Sequence, residues 1–176
     1  MKFFTKTAFL IVSAIILMSS CNQSATKNNG QSAGVVKDTT PRVTGIGGIF
    51  FKSKNAPFLK NWYGGNLGLE TNAYGSVFEF RNSNRPGEIN YLVWSPFEEG
   101  TNYFKPSEKQ FMINYRVVNI EGLVRNLRKI GATIVDTIQK VDYGKFVHVM
   151  DPDGNKIELW EPIDSVLTKT GEKTTR

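Results

Sequence analysis

The sequence predicts an α+β fold made of two βαβββ modules. Asn55 and Asn119 each stand where a helix should begin, 64 residues apart, and Trp followed two residues later by Pro recurs at an offset of 66 in 93–96 and 159–162. Short segments with strand-like alternation of apolar residues follow each helix. The matching order and nearly matching offsets indicate an internal duplication.

The first module begins with a predicted strand at 45–52. Asn55 is placed to cap a helix, Pro57 lies in its first turn, and Gly64 and Gly65 are expected to end it. Two strands are predicted next, at 77–81 and 89–94, with a polar loop between them.

The second module begins with a predicted strand at 111–117. Apolar residues then recur at helical spacing from Ile120 to Ile130, with Asn119 as the cap and Gly131 as the stop. Three further strands are predicted, at 133–140, 145–150 and 156–160.

The N-terminus has the pattern of a secretory signal. Lys2 and Lys6 precede an apolar run at 8–18, which is too short for a comfortable membrane span, and Cys21 follows two serines. This arrangement resembles a bacterial lipobox, which implies lipidation of Cys21 and an anchor in the cell envelope after export. An ordinary signal peptide with an incidental cysteine is the alternative. Because Cys21 is the single cysteine, an internal disulfide is excluded.

The composition of the remaining chain predicts one domain between two polar segments. We expect a signal peptide at 1–20, the lipidated cysteine and a flexible tether at 21–42, the domain at 43–162 and a polar tail at 163–176. Removing 1–20 takes away Lys2 and Lys6 and no acids, so the net charge falls from +6 to +4. The basic residues are spread along the chain, which gives little support for nucleic-acid binding.

The segment 151–162 is the most informative part of the chain. Asp-Pro-Asp-Gly supplies a tight turn, and the alternation after it places Glu158 mid-strand, on the same face as Trp160. Asp-Pro-x-Gly-Asn-x-Ile-Glu-Leu resembles the closing strand of the vicinal-oxygen-chelate superfamily, which includes glyoxalase I, extradiol dioxygenases and the fosfomycin- and bleomycin-resistance proteins. The resemblance covers about residues 43–162. It implies two modules whose sheets form a cup, with helices outside and a ligand inside.

The resemblance also implies four metal-ligand positions, which in this sequence read Gly48, Leu92, Met112 and Glu158. Three of these residues offer no suitable donor, and the chain has one histidine, so no site with two histidines can form within a monomer. We therefore expect neither a metal nor another cofactor.

His148 and Glu158 are the candidate catalytic residues. They lie ten positions apart across the turn, so an antiparallel hairpin can place them opposite each other, where Glu158 would orient the imidazole as a general base. A passive or ligand-contacting pair and a residual metal site are the alternatives.

Strand alternation and the two offsets predict which side chains face the cup. A small anionic or planar ligand would suit these aromatic and polar groups, although they could instead fill a collapsed cup or a dimer contact. The predicted ligand-binding residues are Phe50, Lys52, Asn90, Trp94, Asn114, Arg116 and Trp160.

The expected function is that of a membrane-anchored, glyoxalase-like protein that binds a small molecule without the usual metal. The alternatives are an enzyme, a glyoxalase-like lyase or isomerase or a dioxygenase, that uses Glu158 and His148, and a purely structural module. The connecting segment 97–110 is either a lid over the cup or an ordinary linker. The sequence leaves open whether the modules pair within one chain or between the two chains of a homodimer.

Overall fold

The computed structural model describes residues 38–82, 85–171 and 173–175. The predicted signal peptide, Cys21 and most of the predicted tether lie outside these residues. In the described part, none of the helices is both long enough and apolar enough to cross a membrane. The helices and strands are β1 Arg42–Ser53, α1 Ala56–Leu67, β2 Ser76–Asn82, β3 Arg85–Glu98, β4 Phe111–Val118, α2 Ile120–Lys129, β5 Gln139–Val141, β6 Gly144–Met150, β7 Lys156–Pro162 and α3 Asp164–Thr170.

The strands form one mixed sheet in the order β2-β3-β1-β4-β7-β6-β5. The two modules meet at its centre, where β1 pairs antiparallel with β4 and Ile49 lies opposite Ile113. These two residues are 64 positions apart, so the offset between the helix caps also relates the two central strands. The predicted α+β fold is confirmed, and the modules pair within one chain.

Both predicted helix caps are confirmed. The Asn55 side chain accepts a hydrogen bond from the Phe58 amide, and the Asn119 side chain accepts one from the Gly122 amide. The predicted end of α1 at Gly64 and Gly65 is wrong, because the helix continues to Leu67 and the left-handed residue that ends it is Gly68, with φ 72°. An interior glycine costs a helix only about 1 kcal/mol, and the rest of the structure readily offsets this cost.

The second module differs from the prediction between α2 and β6. In place of a strand at 133–140, the structure has an isolated bridge between Ile134 and Val149 and a short strand β5. A bend between these two segments brings Asp136 to the backbone of β6, where its carboxylate accepts a hydrogen bond from the His148 amide at 2.8 Å.

Two apolar clusters lie on opposite sides of the sheet. The larger cluster packs α2 onto its convex side and contains Val117, Ile120, Val124, Val147, Val149 and Leu159. The smaller cluster joins Phe50 and Met112 to Phe104, a fully buried residue of the 99–110 loop. This loop is therefore anchored in the structure by its own core residue.

The segment after Pro162, which the sequence predicts as a polar tail, forms α3 and returns to the sheet. Tyr91 donates a hydrogen bond to the Thr168 hydroxyl at 2.9 Å, and the Thr175 amide donates one to the Val77 carbonyl at 2.8 Å. Helix α3 has no buried residue, so polar contacts hold it rather than an apolar face. For this reason no hydrophobic periodicity predicts it.

Candidate ligand-binding site

The concave side of the sheet encloses a cavity of about 910 Å³. This volume lies within the range of small-molecule sites. Eight aromatic side chains from both modules and from the 99–110 loop line it, namely Phe50, Tyr74, Tyr91, Phe97, Tyr103, Tyr143, Phe146 and Trp160. A few polar groups lie among them, and they are concentrated around Glu158.

Glu158 lies on β7 and is 3% exposed. Its Oε1 accepts a hydrogen bond from Asn114 Nδ2 at 2.6 Å, and its Oε2 accepts one from His148 Nε2 at 2.9 Å and another from the Tyr103 hydroxyl. The donors come from β4, from β6 and from the loop. A carboxylate this deeply buried would be costly without such partners.

His148 lies opposite Glu158 in the β6–β7 ladder, so the predicted juxtaposition of these two residues is confirmed. The Asp151 side chain makes the reversal between the strands by accepting hydrogen bonds from the amides of Asp153 and Asn155. Gly154 supplies the left-handed φ of 77° that the turn requires.

Asp136 completes a network that the sequence analysis missed. Its Oδ2 lies 2.6 Å from His148 Nδ1, so the imidazole is held between two carboxylates. Because ionised carboxylates only accept hydrogen bonds, this arrangement suits a ring with protons on both nitrogens, an imidazolium. Asp136 lies in a segment that the sequence predicts as a regular strand, and no local signal places it beside His148.

The pKa values of the network follow from these contacts. Burial alone would lower the pKa of His148, but the hydrogen bonds to Glu158 and Asp136 outweigh burial and raise the pKa above its ordinary value. Burial alone would raise the pKa of Glu158, but the hydrogen bonds from His148, Tyr103 and Asn114 outweigh it and lower the pKa. The contacts therefore favour the charged form of each group.

Tyr103 is the contribution of the 99–110 loop to the cavity. Its ring stacks on Phe97 at 5.2 Å, and the Lys156 ammonium lies 5.2 Å from the ring centre while donating to the Tyr103 carbonyl at 2.6 Å. The Ser107 hydroxyl ties the loop to the Gly154 carbonyl at 2.7 Å. Burial and the neighbouring Glu158 carboxylate raise the pKa of Tyr103, so its hydroxyl stays protonated and donates.

Of the seven predicted ligand-binding residues, Phe50, Asn114 and Trp160 line the cavity. Arg116 does not line it. Its guanidinium lies 5.1 Å from the Trp160 ring centre and forms an ion pair with Asp164 of α3 at 2.5 Å. Arg116 is thus a predicted ligand-binding residue whose guanidinium is already paired with a carboxylate of the chain.

The predicted positions of Asn90 and Trp94 are also wrong, whereas Lys52 lies on the predicted face of β1 but outside the cavity lining. Trp94 contacts Phe51 and Tyr63 of α1 on the convex side, whereas Tyr91, Val93, Ser95 and Phe97 of β3 line the cavity. Asn90 has the same orientation as Trp94 because strand residues alternate between faces. The Lys52 ammonium lies 5.7 Å from the Phe104 ring centre, and Lys52 is not among the residues that line the cavity.

The error on β3 comes from the offset used to align the two modules. In the β1–β3 ladder, Phe50 pairs with Ser95. In the equivalent β4–β7 ladder of the second module, Asn114 pairs with Glu158. Ser95 and Glu158 are 63 positions apart, not the 66 that the Trp and Pro repeat implies. An alignment error of three residues reverses the face of every side chain on a strand.

This register corrects the β3 position that the resemblance implies for a metal. Phe50 pairs with the inward Ser95 as Asn114 pairs with Glu158, so Ser95 and not Leu92 corresponds to Glu158. One carboxylate, one amide and one hydroxyl do not make the nitrogen and carboxylate set that such a metal requires. Within 38–82, 85–171 and 173–175, no group of three His, Cys, Asp or Glu side chains is arranged to hold a metal ion.

Solved structures share this architecture. The chain is similar to methylmalonyl-CoA epimerase from Streptomyces coelicolor in complex with 2-nitronate-propionyl-CoA, with 12% identity, TM-score 0.52 and coverage of 69% of this chain and 99% of that chain. A methylmalonyl-CoA epimerase in complex with methylmalonyl-CoA and NH4+ gives 13% identity, TM-score 0.50 and coverage of 69% and 96%. A glyoxalase/bleomycin resistance protein/dioxygenase superfamily member from Vibrio splendidus 12B01 gives 17% identity and a TM-score of 0.43, with coverage of 69% of this chain and 99% of that chain.

The first two likenesses show that the chain has the vicinal-oxygen-chelate fold, as its closing strand predicts. At such low identity they describe the fold and not the reaction. By sequence, no family model and no curated protein matches the chain.

Replacing Glu158 by Gln should destabilise the protein by about 2–4 kcal/mol, because the imidazolium loses its buried counter-charge and keeps only the partly exposed Asp136. The raised pKa of His148 contributes stability that is fully present below the ordinary imidazole pKa of 6.5 and is lost as the pH rises through the raised value. The effect of Glu158→Gln should therefore be largest in mildly acidic buffer and smaller in alkaline buffer.

Denaturant unfolding at several pH values measures this difference. Glu99→Gln is the matched control, because Glu99 is exposed and lies outside the cavity, and its effect should stay within about 0.5 kcal/mol. A Glu158→Gln effect that grows towards alkaline pH would contradict the charge state assigned to His148.

Proposed function

We propose that the protein is a membrane-anchored binding protein that holds a small aromatic molecule in its cup without the usual metal. The observation that carries this proposal is the cavity of about 910 Å³, with eight aromatic side chains in its wall and a polar group at its floor. Apolar walls with a few convergent polar groups are typical of small-molecule sites. Binding without turnover would resemble the bleomycin-resistance branch of the superfamily.

The state of Glu158 favours binding over catalysis. A general base is most effective when its pKa lies near the working pH, whereas hydrogen bonds lower the pKa of Glu158 further from neutrality. Its Oε2 also accepts from two donors, Tyr103 and His148. A carboxylate in this state is better suited to organising a polar floor than to removing a proton.

The contacts of Arg116 and Lys52, the two cationic residues that the sequence predicts to bind a ligand, favour the aromatic over the anionic ligand class. Arg116 already faces Asp164, and Lys52 lies outside the cavity lining. Neither residue supports an anionic ligand in the arrangement described. The aromatic wall remains as the main source of affinity.

One observation keeps an enzymatic alternative in place. Tyr103, Glu158, His148 and Asp136 form an unbroken chain of ionisable groups along the cavity wall. Such a chain can move protons, as a glyoxalase-like lyase, an isomerase or a dioxygenase would require. Turnover of a carbonyl substrate that Glu158→Gln abolishes, while the variant stays folded, would favour this alternative.

The membrane anchor is proposed from the sequence around Cys21. If Cys21 carries lipid, the full-length protein expressed in a bacterium should sediment with membranes, and Cys21→Ser should appear in the soluble fraction after export. Metabolic labelling with a fatty acid measures the modification directly. Membrane association that Cys21→Ser leaves unchanged would remove the anchor from the proposal.

Binding can be tested with N-phenyl-1-naphthylamine, a neutral aromatic dye that fluoresces in apolar sites. The dye should bind one per chain, and chelator treatment of the protein should not change its affinity. Val93→Trp should weaken binding by about tenfold or more, because the larger side chain fills the cavity. The control is Val43→Trp, because Val43 is 48% exposed and lies outside the cavity lining.

Two results would contradict the proposed function. One is the absence of saturable dye binding by the folded wild-type domain. The other is equal binding by the Val93 and Val43 variants, both shown to be folded by circular dichroism, which would place the dye outside the cup. Dye binding that appears only after a divalent metal is added would contradict the metal-free part of the proposal.

A further inference from the structure

The C-terminal part of the chain, residues 164–171 and 173–175, forms one wall of the cavity. We call this part the C-terminal strap. The cavity-lining Tyr91 of β3 donates a hydrogen bond to the Thr168 hydroxyl at 2.9 Å, so α3 lies on the concave side of β3. The Thr174 hydroxyl donates to Glu79 of β2, which also lines the cavity, at 3.1 Å. The strap therefore covers the half of the cup that the first module forms. Its lining residues are Leu167, Thr168, Thr170, Gly171 and Thr174.

The beginning of the strap is firmly attached to the sheet. Asp164 forms an ion pair with Arg116 at 2.5 Å, and Arg116 is 2% exposed and also donates to the Tyr91 carbonyl at 3.1 Å. The Ile163 amide, immediately before the strap, donates to the Tyr143 carbonyl at 3.1 Å. Separating a charge as deeply buried as that of Arg116 from its partner is costly. This end of the strap is therefore a fixed point.

Hydrogen bonds attach the far end of the strap to the edge of the sheet. The Thr175 amide donates to the Val77 carbonyl at 2.8 Å, and the Thr175 hydroxyl lies 2.7 Å from the Ser76 hydroxyl and accepts from the Glu70 amide at 2.9 Å. Ser76 and Val77 belong to β2, which is the outermost strand on this side. Gly171, with a left-handed φ of 64°, ends α3 before this point. Such hydrogen bonds can be exchanged for bonds to water at a small net cost.

Opening the strap would expose little apolar surface. Helix α3 has no buried residue, and its apolar side chains Val166 and Leu167 are half-buried. The 99–110 loop, another part of the cavity wall, is instead anchored by the fully buried Phe104. Segments with few buried apolar contacts open locally at free energies well below that of global unfolding. Of these two wall segments, the strap is therefore the easier one to open.

We propose that the C-terminal strap is the gate of the cup, which moves away from β2 and β3 about its fixed point at Asp164 and so lets an aromatic molecule enter and leave. The inference rests on the proposed binding function and specifies how the exchange of the ligand is controlled. A bound molecule contacts the strap residues that line the cavity, so binding favours the closed state. The gate thus determines how long the ligand stays in the cup.

A disulfide between the strap and β2 tests the gate. The Ser76 and Thr175 hydroxyls lie 2.7 Å apart, so replacing both residues by Cys brings two sulfur atoms within bonding reach, and neither residue lines the cavity. The full-length chain carries Cys21→Ser as well, which leaves no other cysteine. Diamide oxidises the pair and dithiothreitol reduces it, so one protein supplies both the locked and the free strap.

Stopped-flow fluorescence with N-phenyl-1-naphthylamine measures the association and dissociation rates in both forms. The oxidised form should exchange the dye about tenfold more slowly or less, and reduction should restore the rates of the Cys21→Ser parent. The controls are the single variants Ser76→Cys and Thr175→Cys in the same background, which should keep fast exchange in the oxidant. Titration of free thiols establishes that the disulfide has formed.

Thr175→Val tests the gate in the opposite direction. It removes the hydroxyl that contacts Ser76 and the Glu70 amide while nearly keeping the shape of the side chain. Association and dissociation should both become about threefold to tenfold faster, because the closed state is less favoured. Backbone amides in the strap should also exchange hydrogen faster, whereas those of β1 and β4 should not change. The matched control is Thr40→Val, because Thr40 is exposed and lies outside the cavity lining.

The outcomes separate the gate from the proposed function. If the dye binds in the cup and the oxidised form exchanges it at the rates of the reduced form, the gate is overturned and the binding function stands. Unchanged dye rates in Thr175→Val overturn the gate in the same way, and this variant carries the test alone if the disulfide does not form. If no dye binds in a manner sensitive to Val93→Trp, the proposed function fails and the gate fails with it.

Discussion

The buried carboxylate of Glu158 is the interaction on which the rest of the site depends. It is bonded by Asn114 across the β4–β7 ladder, by His148 across the β6–β7 hairpin and by Tyr103 from the 99–110 loop. Three separate parts of the chain therefore meet at one charge. Removing that charge would leave an imidazolium, an amide and a phenol in poorly matched surroundings, so the carboxylate determines both the shape of the cup floor and its electrostatics.

The same network holds a buried polar centre together by contacts within the chain. Hydrogen-bond donors surround Glu158, and the inward residues Phe50 and Ser95 add little donor capacity. Behind the cavity lining, the guanidinium of Arg116 is paired with Asp164. The cup is thus an aromatic cavity whose charges are largely arranged in advance of any ligand, which reduces the cost of ordering on binding.

Features determined by short stretches of sequence could be predicted. Features determined by tertiary contacts between distant segments could not. The helix caps Asn55 and Asn119 and the pairing of His148 with Glu158 depend on local turn chemistry, and all are confirmed. The faces of β3 were predicted wrongly because a repeat of Trp and Pro does not report register. Tyr103 and Asp136 reach the site from irregular segments, so no periodic pattern in the sequence predicts their positions. Helix α3 is held by polar contacts, so no hydrophobic periodicity predicts it.

The protonation state of His148 tests this account most directly. The chain has one histidine, so ¹⁵N and ¹H NMR of its imidazole gives one unambiguous set of signals. The account predicts that at neutral pH both ring nitrogens carry protons and that the ring titrates above the ordinary pKa of histidine, because Glu158 and Asp136 both accept from it. A neutral ring with one protonated nitrogen at neutral pH would contradict the arrangement of charges on which the binding site is built.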